Sequence, residues 1–288
     1  MDNVLAIKKG VVNFLCCFVP RKRWRKKIKR ILVDNERRRK ELLAYGCTIN
    51  GETITTPQGV IIDISDEPNC PLYLVKEVFI KDEYKLNLER DSILIDIGMN
   101  VAAASLLFAT NKYIKKIYSY EPFKPTFEKA KKNLRLNPEL SRKIVPRNFG
   151  LGSKEKVLKL PYMITATGGM STTQDVCSWE KHATTETVIV KDALQEFAAI
   201  LEENKGKHVI VKCDCEGAEL EIFKRLNEGN MVRGIDVVIM EYHFGKYDEL
   251  VRILTANSFA LQVKSGSKKS RTGYIYAVRM AERTGPHQ

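Results

Sequence analysis

Three carboxylates fall within six residues of the stretch VIVKCDCEGAELEIF, residues 209–223. An apolar run leads directly into Asp214 and Glu216, and Glu219 follows three residues later. Acids crowded together repel one another and lose hydration, so stability alone gives little reason for this pattern. Asp214 and Glu216 are therefore predicted to do chemistry, because titratable groups cluster at functional sites. Glu219 and Glu221 instead suit the first turn of a helix, where the macrodipole favours acids.

The elements around this stretch predict an α/β fold. A buried strand that ends in carboxylates and turns through a glycine into a helix is where an open α/β sheet builds a site. From residue 91 onward, strands alternate with helices, which predicts a doubly wound, mostly parallel seven-stranded sheet with a C-terminal antiparallel hairpin. A polar stretch, 164–184, is predicted to be a surface insertion of the kind that shapes substrate pockets. The predicted strands of the sheet are 92–98, 115–122, 143–152, 208–214 and 236–243, followed by two in 259–280.

The first two strands end in residues suited to a nucleoside cofactor. Gly98, two residues after Asp96, permits a tight turn, and Glu121 ends the second strand, where an acid can accept both hydroxyls of a ribose. Asn100 and Ala102 stand where a dinucleotide-binding fingerprint would have glycines. Those glycines bring the backbone against a pyrophosphate, so their absence favours S-adenosylmethionine, which has no phosphate, over a nicotinamide cofactor.

Two further hypotheses concern the acidic stretch. His243, at the end of the fifth predicted strand, joins Asp214 and Glu216 as a candidate general base. Alternatively, Asp214, Glu216 and Glu241 could bind Mg²⁺, which prefers oxygen ligands, although spacing alone does not show that they converge.

The seven cysteines have no zinc-like spacing, and they are interpreted as reduced thiols of a cytoplasmic protein.

Five blocks together resemble the FkbM family of methyltransferases. They are ILIDIGMN, YSYEP, NFGLG, VIVKCDCEGAE and VVIMEYH, and the similarity covers roughly residues 90–280. Members usually show an Asp-x-Gly-Ala-Asn-x-Gly turn, an acid-Pro pair and a Lys-x-Asp-x-Glu-Gly-Ala-Glu block. In this chain, Met99 replaces the usual Ala of the turn and Ala102 its last Gly, which narrows the turn.

The resemblance implies a class I methyltransferase fold and S-adenosylmethionine-dependent O-methylation, often of a sugar hydroxyl in a polysaccharide, glycolipid or natural product. It also implies roles for individual residues. Asp214 and Glu216 would lie beside the transferred methyl group and the acceptor. The residues expected to line the cofactor pocket are Asp96, Gly98, Asn100 and Glu121.

The positive charge of the chain is concentrated at its N-terminus. Residues 1–45 contain 14 Lys or Arg against 4 Asp or Glu, whereas the remainder has 34 against 31. The expected organisation is a basic helical arm (1–45), a small β-hairpin with a helix (46–90) and a methyltransferase domain (91–288). Because the body is nearly neutral, its charge argues against binding of nucleic acid.

The composition of the arm predicts that the protein attaches to a membrane surface. Residues 11–32 combine an apolar patch, a Trp and a dense run of cations, which suits an interfacial helix on an anionic membrane. We therefore expect a cytoplasmic protein that attaches peripherally to the inner face of a membrane and methylates a glycan or glycolipid. The alternatives are an RNA or protein methyltransferase that uses the arm for an acidic partner, and a degenerate fold that only binds.

Overall fold

The computed structural model describes residues 35–65, 71–81, 83–162, 170–172, 184–245, 247–266 and 271–280. The segment 11–32, for which a membrane surface was predicted, lies outside these ranges. The chain divides into two compact units, 1–81 and 82–288. Within the described residues, no helix is both long enough and apolar enough to span a membrane.

The first unit contains a small antiparallel sheet between helices. Helix α1 includes residues 35–44. The predicted hairpin forms, with Gly51 at φ +58 in the turn, and a third strand pairs with its second strand. The sheet consists of β1 (Thr48–Asn50), β2 (Thr53–Thr55) and β3 (Ile61–Asp63), and helix α2 (Pro71–Ile80) follows it.

The second unit is built on a seven-stranded sheet whose order is β12-β13-β11-β10-β4-β5-β6. Strand β13 is antiparallel to both of its neighbours, and the pairs from β11 to β6 are all parallel. The predicted fold class is therefore confirmed. The strands are β4 (Ser92–Ile97), β5 (Ile114–Tyr120), β6 (Ile144–Arg147), β10 (His208–Cys213), β11 (Val237–Tyr242), β12 (Phe259–Ser265) and β13 (Gly273–Arg279).

Helices cover this sheet and close its core. All six residues of β4 are buried, as expected of a central parallel strand with apolar layers on both faces. Phe197 and Phe223 are fully buried against β4 and β10 in one large core cluster. The helices are α3 (Ala103–Ala109), α4 (Lys124–Leu136), α5 (Pro138–Ser141), α6 (Ala193–Glu203), α7 (Glu219–Glu228) and α8 (Tyr247–Ala256), with a 3₁₀ turn at Met231–Gly234.

A second sheet, of order β7-β9-β8, is the main feature that the sequence analysis missed. The pattern at 143–152 predicted a single strand and turn, whereas β6 ends at Arg147 and a new strand begins at Gly150. The amide of Asn148 lies between them and donates to the backbone oxygen of Glu121 at 2.8 Å, which fixes the change of direction. The strands are β7 (Gly150–Gly152), β8 (Lys156–Tyr162) and β9 (Thr184–Asp192).

The strand order places the ends of β4 and β10 side by side. The chain runs outward from β4 through β5 to β6, and later returns to the other side of β4 as β10 and β11. Ligands of open α/β sheets bind at such a switch point, beyond the carboxyl ends of the strands. The register aligns Ile97 with both Cys213 and Tyr120, so the residues after these three strands meet at one edge.

Candidate active site

The turn after β4 requires glycine at position 98. Gly98 has φ +87, and a Cβ atom there would lie 1.7 Å from the backbone oxygen of Asp214. The N–H groups of Gly98 and Met99 both donate to the backbone oxygen of Tyr120, at 3.1 and 2.8 Å. The turn is therefore held against the ends of both neighbouring strands, β5 and β10.

The same turn contains two further left-handed residues. Asn100 has φ +51 and Ala102 has φ +68. A left-handed conformation costs an L-residue other than glycine roughly 1–2 kcal/mol, with Asn among the more tolerant. Ala102 stands where the FkbM pattern has glycine, so this chain folds its turn with added backbone strain at that position.

Glu121, at the end of β5, is held by backbone groups. Its Oε2 accepts from the N–H of Asn100 at 3.0 Å, and its Oε1 accepts from the N–H of Phe123 at 2.9 Å. The carboxylate is buried, and burial raises its pKa to about 7 although these two hydrogen bonds lower it. Each oxygen keeps a lone pair for a further donor, as a ribose-binding acid needs.

Asp96 lies beneath the turn and does not line the cleft. It is fully buried, accepts from the Ser105 hydroxyl at 2.5 Å and lies 3.1 Å from the Lys212 ammonium. Lys212 in turn donates to the backbone oxygen of Gly98 at 2.7 Å. Burial lowers the pKa of Lys212, but the charges of Asp96 and Asp214 outweigh it and hold that pKa above its usual value. Asp96 thus supports the cofactor turn from below through Lys212.

An open cleft lies above these residues, at the carboxyl edge of the sheet. Part of the predicted insertion, Met170 and Thr172, contributes to its wall. Of the predicted site residues, Gly98, Asn100 and Glu121 line one half, and Asp214 and Glu216 the other. The remaining lining residues are Ile97, Tyr120, Pro122, Gly150, Leu151, Cys215 and Ala218.

The acidic half contains two carboxylates in different states of pairing. Asp214 accepts from the Tyr84 hydroxyl at 3.3 Å and lies 3.9 Å from the Lys212 ammonium. Glu216 has φ +57, and its side chain keeps 27% of its surface exposed. Burial raises the pKa of Glu216 to about 8, and neighbouring carboxylates, including Asp214, add to the rise.

Behind Glu216 lies a histidine fixed by a buried carboxylate. The Nδ1 of His243 is 2.9 Å from the Oε1 of Glu219, and its Nε2 is 3.3 Å from the Oε2 of Glu216. The same Glu219 oxygen accepts from the backbone N–H groups of Cys215 and Gly217, at 3.2 and 3.0 Å. Burial opposes protonation of His243, but the hydrogen bond to Glu219 and the surrounding carboxylates raise its pKa to about 9.

Glu219 therefore has a second role besides the predicted one at the start of a helix, because it also holds His243 in place. It is the first residue of α7, as expected of a helix N-terminal acid, yet its side chain is only 3% exposed. Burial alone would raise its pKa, whereas the hydrogen bonds from His243 and from Gly217 keep the pKa below its usual value. Glu221 has the structural role predicted for both residues, because it accepts from the N–H and hydroxyl of Ser153.

The three predicted catalytic residues converge. One ligand atom each from Asp214, Glu216 and His243 lies within 4.8 Å of the other two. Glu241, which the magnesium hypothesis grouped with the two acids, is not in this group, and its Oε2 accepts from the Tyr274 hydroxyl at 2.8 Å. The acidic half of the cleft is thus a two-carboxylate, one-imidazole group.

The cofactor half fits S-adenosylmethionine in its donor and acceptor groups. Glu121 offers carboxylate oxygens for ribose hydroxyls, and the buried Oδ1 of Asn100 has no hydrogen-bond partner within the described residues. The backbone of the turn at Gly98 lies directly against the backbone of Asp214, so the two halves of the cleft adjoin. Residues that would hold the cofactor are therefore Gly98, Asn100 and Glu121.

The family described as Methyltransferase FkbM domain matches residues 96–262, which is more than half of the chain. The fold and cleft define the protein as one of the methyltransferase class, and the chain belongs to the FkbM methyltransferase family. A curated relative, Methyltransferase sdnD of Sordaria araneosa, is 26% identical over 194 residues, covering 59% of this chain and 74% of that protein.

Solved structures give more distant likenesses. A methyltransferase FkbM from Methylobacillus flagellatus is 12% identical, with a TM-score of 0.46, over 71% of this chain and 47% of that one. The present chain thus spans just under half the length of that structure. Streptococcus pneumoniae Sp1610, solved with S-adenosyl-L-methionine, is 17% identical with a TM-score of 0.40, over 74% of each chain.

Proposed function

We propose that this protein is an S-adenosylmethionine-dependent O-methyltransferase whose acceptor is a hydroxyl of a sugar in a polysaccharide, glycolipid or related glycoconjugate. The observation that carries the proposal is a single cleft with two chemically distinct halves. Gly98, Asn100 and Glu121 suit the cofactor, and Asp214 and Glu216 face them across the end of the sheet. The cofactor, when bound, supplies a methyl group on a sulfonium that needs only a well-placed nucleophile.

In this proposal the nucleophile is the acceptor hydroxyl. The residues of the acidic half hold it in position and remove its proton. Methyl transfer is an in-line displacement, so holding the acceptor oxygen in place accounts for much of the rate. Glu216 lines the cleft, and its ionised form is the proton acceptor for the hydroxyl. His243 lies behind Glu216 and is kept in one orientation by Glu219, so the position of the base is fixed through two side chains.

A hydroxyl acceptor suits this wall better than a nucleic-acid base. The residues after β10 are Asp214-Cys215-Glu216-Gly217, in place of the Asp/Asn-Pro-Pro-aromatic motif that is usual for methylation of amino nitrogens. Carboxylates also repel the phosphates that surround a base in RNA. Sugar hydroxyls, in contrast, donate hydrogen bonds to carboxylates at no electrostatic cost.

The basic arm leads to a second part of the proposal, which is that residues 11–32 hold the protein on an anionic membrane where a lipid-linked acceptor resides. Each Lys or Arg near such a surface contributes about 1 kcal/mol to membrane binding. Full-length chain should sediment with phosphatidylserine-containing vesicles at low salt, and a chain lacking residues 1–34 should stay in solution. Equal sedimentation of the two chains would remove the membrane from the proposal.

The function is tested by calorimetry and by labelled methyl transfer. The full chain should bind S-adenosylmethionine, and Glu216→Gln should bind it equally while losing transfer to glycan or glycolipid acceptors. Glu221→Gln is the matched control, since this neighbouring acid contacts Ser153 outside the cleft. Transfer to RNA but not to glycans would replace the acceptor class, and no cofactor binding at millimolar concentration would indicate a fold that only binds.

A further inference from the structure

We propose that Asp214, Glu216 and His243 form a binding site for a divalent transition-metal cation of the Mn²⁺ type, on the acceptor side of the cleft. The inference deepens the proposed function, since a cation there would contact the acceptor oxygen and lower the pKa of its hydroxyl. Binding of the cation itself does not require methyl transfer, so the site can be tested without an acceptor.

The ligand atoms of the three side chains lie close together. One ligand atom each from the three residues lies within 4.8 Å of the others. Ligands bound to a small divalent ion at about 2.1 Å lie at most about 4.2 Å apart, on opposite sides of the ion. Since 4.8 Å is an upper limit on these separations, the widest pair exceeds this span by at most about 0.6 Å. The Glu216 side chain, 27% exposed, has the freedom to close that difference.

His243 has the orientation of a metal-binding histidine. Glu219 accepts from two backbone N–H groups through the same oxygen that lies 2.9 Å from His243 Nδ1, so Nδ1 is the nitrogen that carries a proton and donates. A metal-binding histidine almost always donates its other N–H to a carboxylate in this way. Nε2 then points at Glu216 from a side chain that is only 7% exposed.

The three side chains lie in an excess of negative charge. Glu216 is repelled by three other carboxylates, those of Asp214, Glu241 and Glu219. Among the described residues, the Lys212 ammonium lies 3.9 Å from Asp214 and is also paired with Asp96. A divalent cation bound between the three side chains would balance their excess of negative charge.

The ligand set also selects the metal. The sequence alone suggested Mg²⁺ held by three carboxylates. In the structure, the third ligand atom of the group is an imidazole nitrogen of His243, and Glu241 lies outside the group. Imidazole suits Fe, Zn, Cu and Ni, and carboxylates suit Mg and Mn, so two carboxylates with one imidazole favour Mn²⁺ or a later divalent ion over Mg²⁺.

Mn²⁺ binding to the full chain tests the site. After dialysis against a chelator, the chain should take up one equivalent of Mn²⁺, measured by loss of the free-ion electron paramagnetic resonance signal. Glu216→Gln should weaken binding at least about tenfold, and Glu219→Gln about 10- to 100-fold through the orientation of His243. Glu241→Gln, the matched control, removes a nearby charge but no ligand and should change the dissociation constant less than about threefold.

Each outcome has a clear meaning. Equal weakening in Glu216→Gln and Glu241→Gln would show diffuse attraction by surface charge and would overturn the site, as would uptake of several equivalents or of none. S-adenosylmethionine binding is measured on the same samples. A chain that binds the cofactor but no Mn²⁺ would refute the metal site alone, whereas one that binds Mn²⁺ but no cofactor would refute the proposed methyl transfer and leave the site in place.

Discussion

The two halves of the cleft are built in different ways. The cofactor half is mostly backbone: consecutive residues of one turn approach the ends of two strands, and Glu121 is fixed by two N–H groups. The acidic half is mostly side chains: Asp214, Glu216 and His243 come from two strand ends and are held by Glu219 and Lys212. The first half therefore depends on main-chain geometry, and the second on electrostatic balance.

This difference indicates which kind of substitution each half tolerates. A backbone-built site fails when a side chain intrudes or when φ cannot be adopted, whatever the charge of the new residue. A site built from balanced charges fails when one charge is removed, even by a substitution of the same shape. Four substitutions test the contrast, in order of decreasing effect.

The largest effect is expected from Gly98→Ala. The new Cβ would lie 1.7 Å from the Asp214 backbone oxygen, at φ +87. Clash and strain together should cost roughly 3–5 kcal/mol of the free energy of unfolding, measured by denaturant titration. Gly206→Ala is the control, because Gly206 has φ +78 with no atom within 4 Å of the added Cβ, and it should cost only about 1 kcal/mol. Similar costs for the two would show that the close approach to Asp214 does not matter.

The second effect is on catalysis and should leave cofactor binding alone. His243→Gln removes the imidazole between Glu216 and Glu219, and turnover should fall by about 10²-fold or more, while the dissociation constant of S-adenosylmethionine is unchanged. His208→Gln is the matched control, since His208 pairs with Ser92 at the opposite end of the sheet. A loss of cofactor affinity in His243→Gln would mean that the two halves are not separable.

The third effect is a pH-dependent loss of cofactor affinity. The pKa of Glu121 is raised to about 7 by burial, so its carboxylate is charged only above that pH. Ribose hydroxyls and a cationic cofactor favour the charged form, so affinity should rise as the pH increases from about 6 to about 8. In Glu121→Gln this rise should disappear and affinity should fall by roughly 10- to 100-fold at the higher pH, measured by calorimetry. A rise of the wild-type size in Glu121→Gln would assign the titration to another group.

The smallest effect is a gain in stability. Ala102→Gly relieves a left-handed alanine at φ +68, and after the added entropy of the unfolded chain the net gain should be about 0.5 kcal/mol. Ala104→Gly, two residues later inside α3, should instead cost about 1 kcal/mol. If Ala102→Gly were destabilising as well, the turn would not be strained at this position.

The sequence determined the alternation of strands and helices, and most of the predicted site residues line the cleft. A buried apolar run such as SILIDI specifies a central strand because it can be satisfied only with both faces covered. Gly98 permits a tight turn and the small Ala102 lets the following helix pack closely, so the turn of the cofactor half could be predicted from neighbouring residues. The FkbM resemblance, confirmed by the match over 96–262, rests on the same local blocks.

Tertiary structure alone decided how the acidic half is assembled. Glu219 and His243 are 24 residues apart, and nothing in that spacing shows that the end of β11 comes within 2.9 Å of the first residue of α7. Side-chain direction and strand register decide that His243, and not Glu241, joins Asp214 and Glu216. They also decide that Asp96 lies beneath the turn. Backbone preference is encoded by neighbours in the chain, whereas charge balance between strands exists only after the sheet has formed.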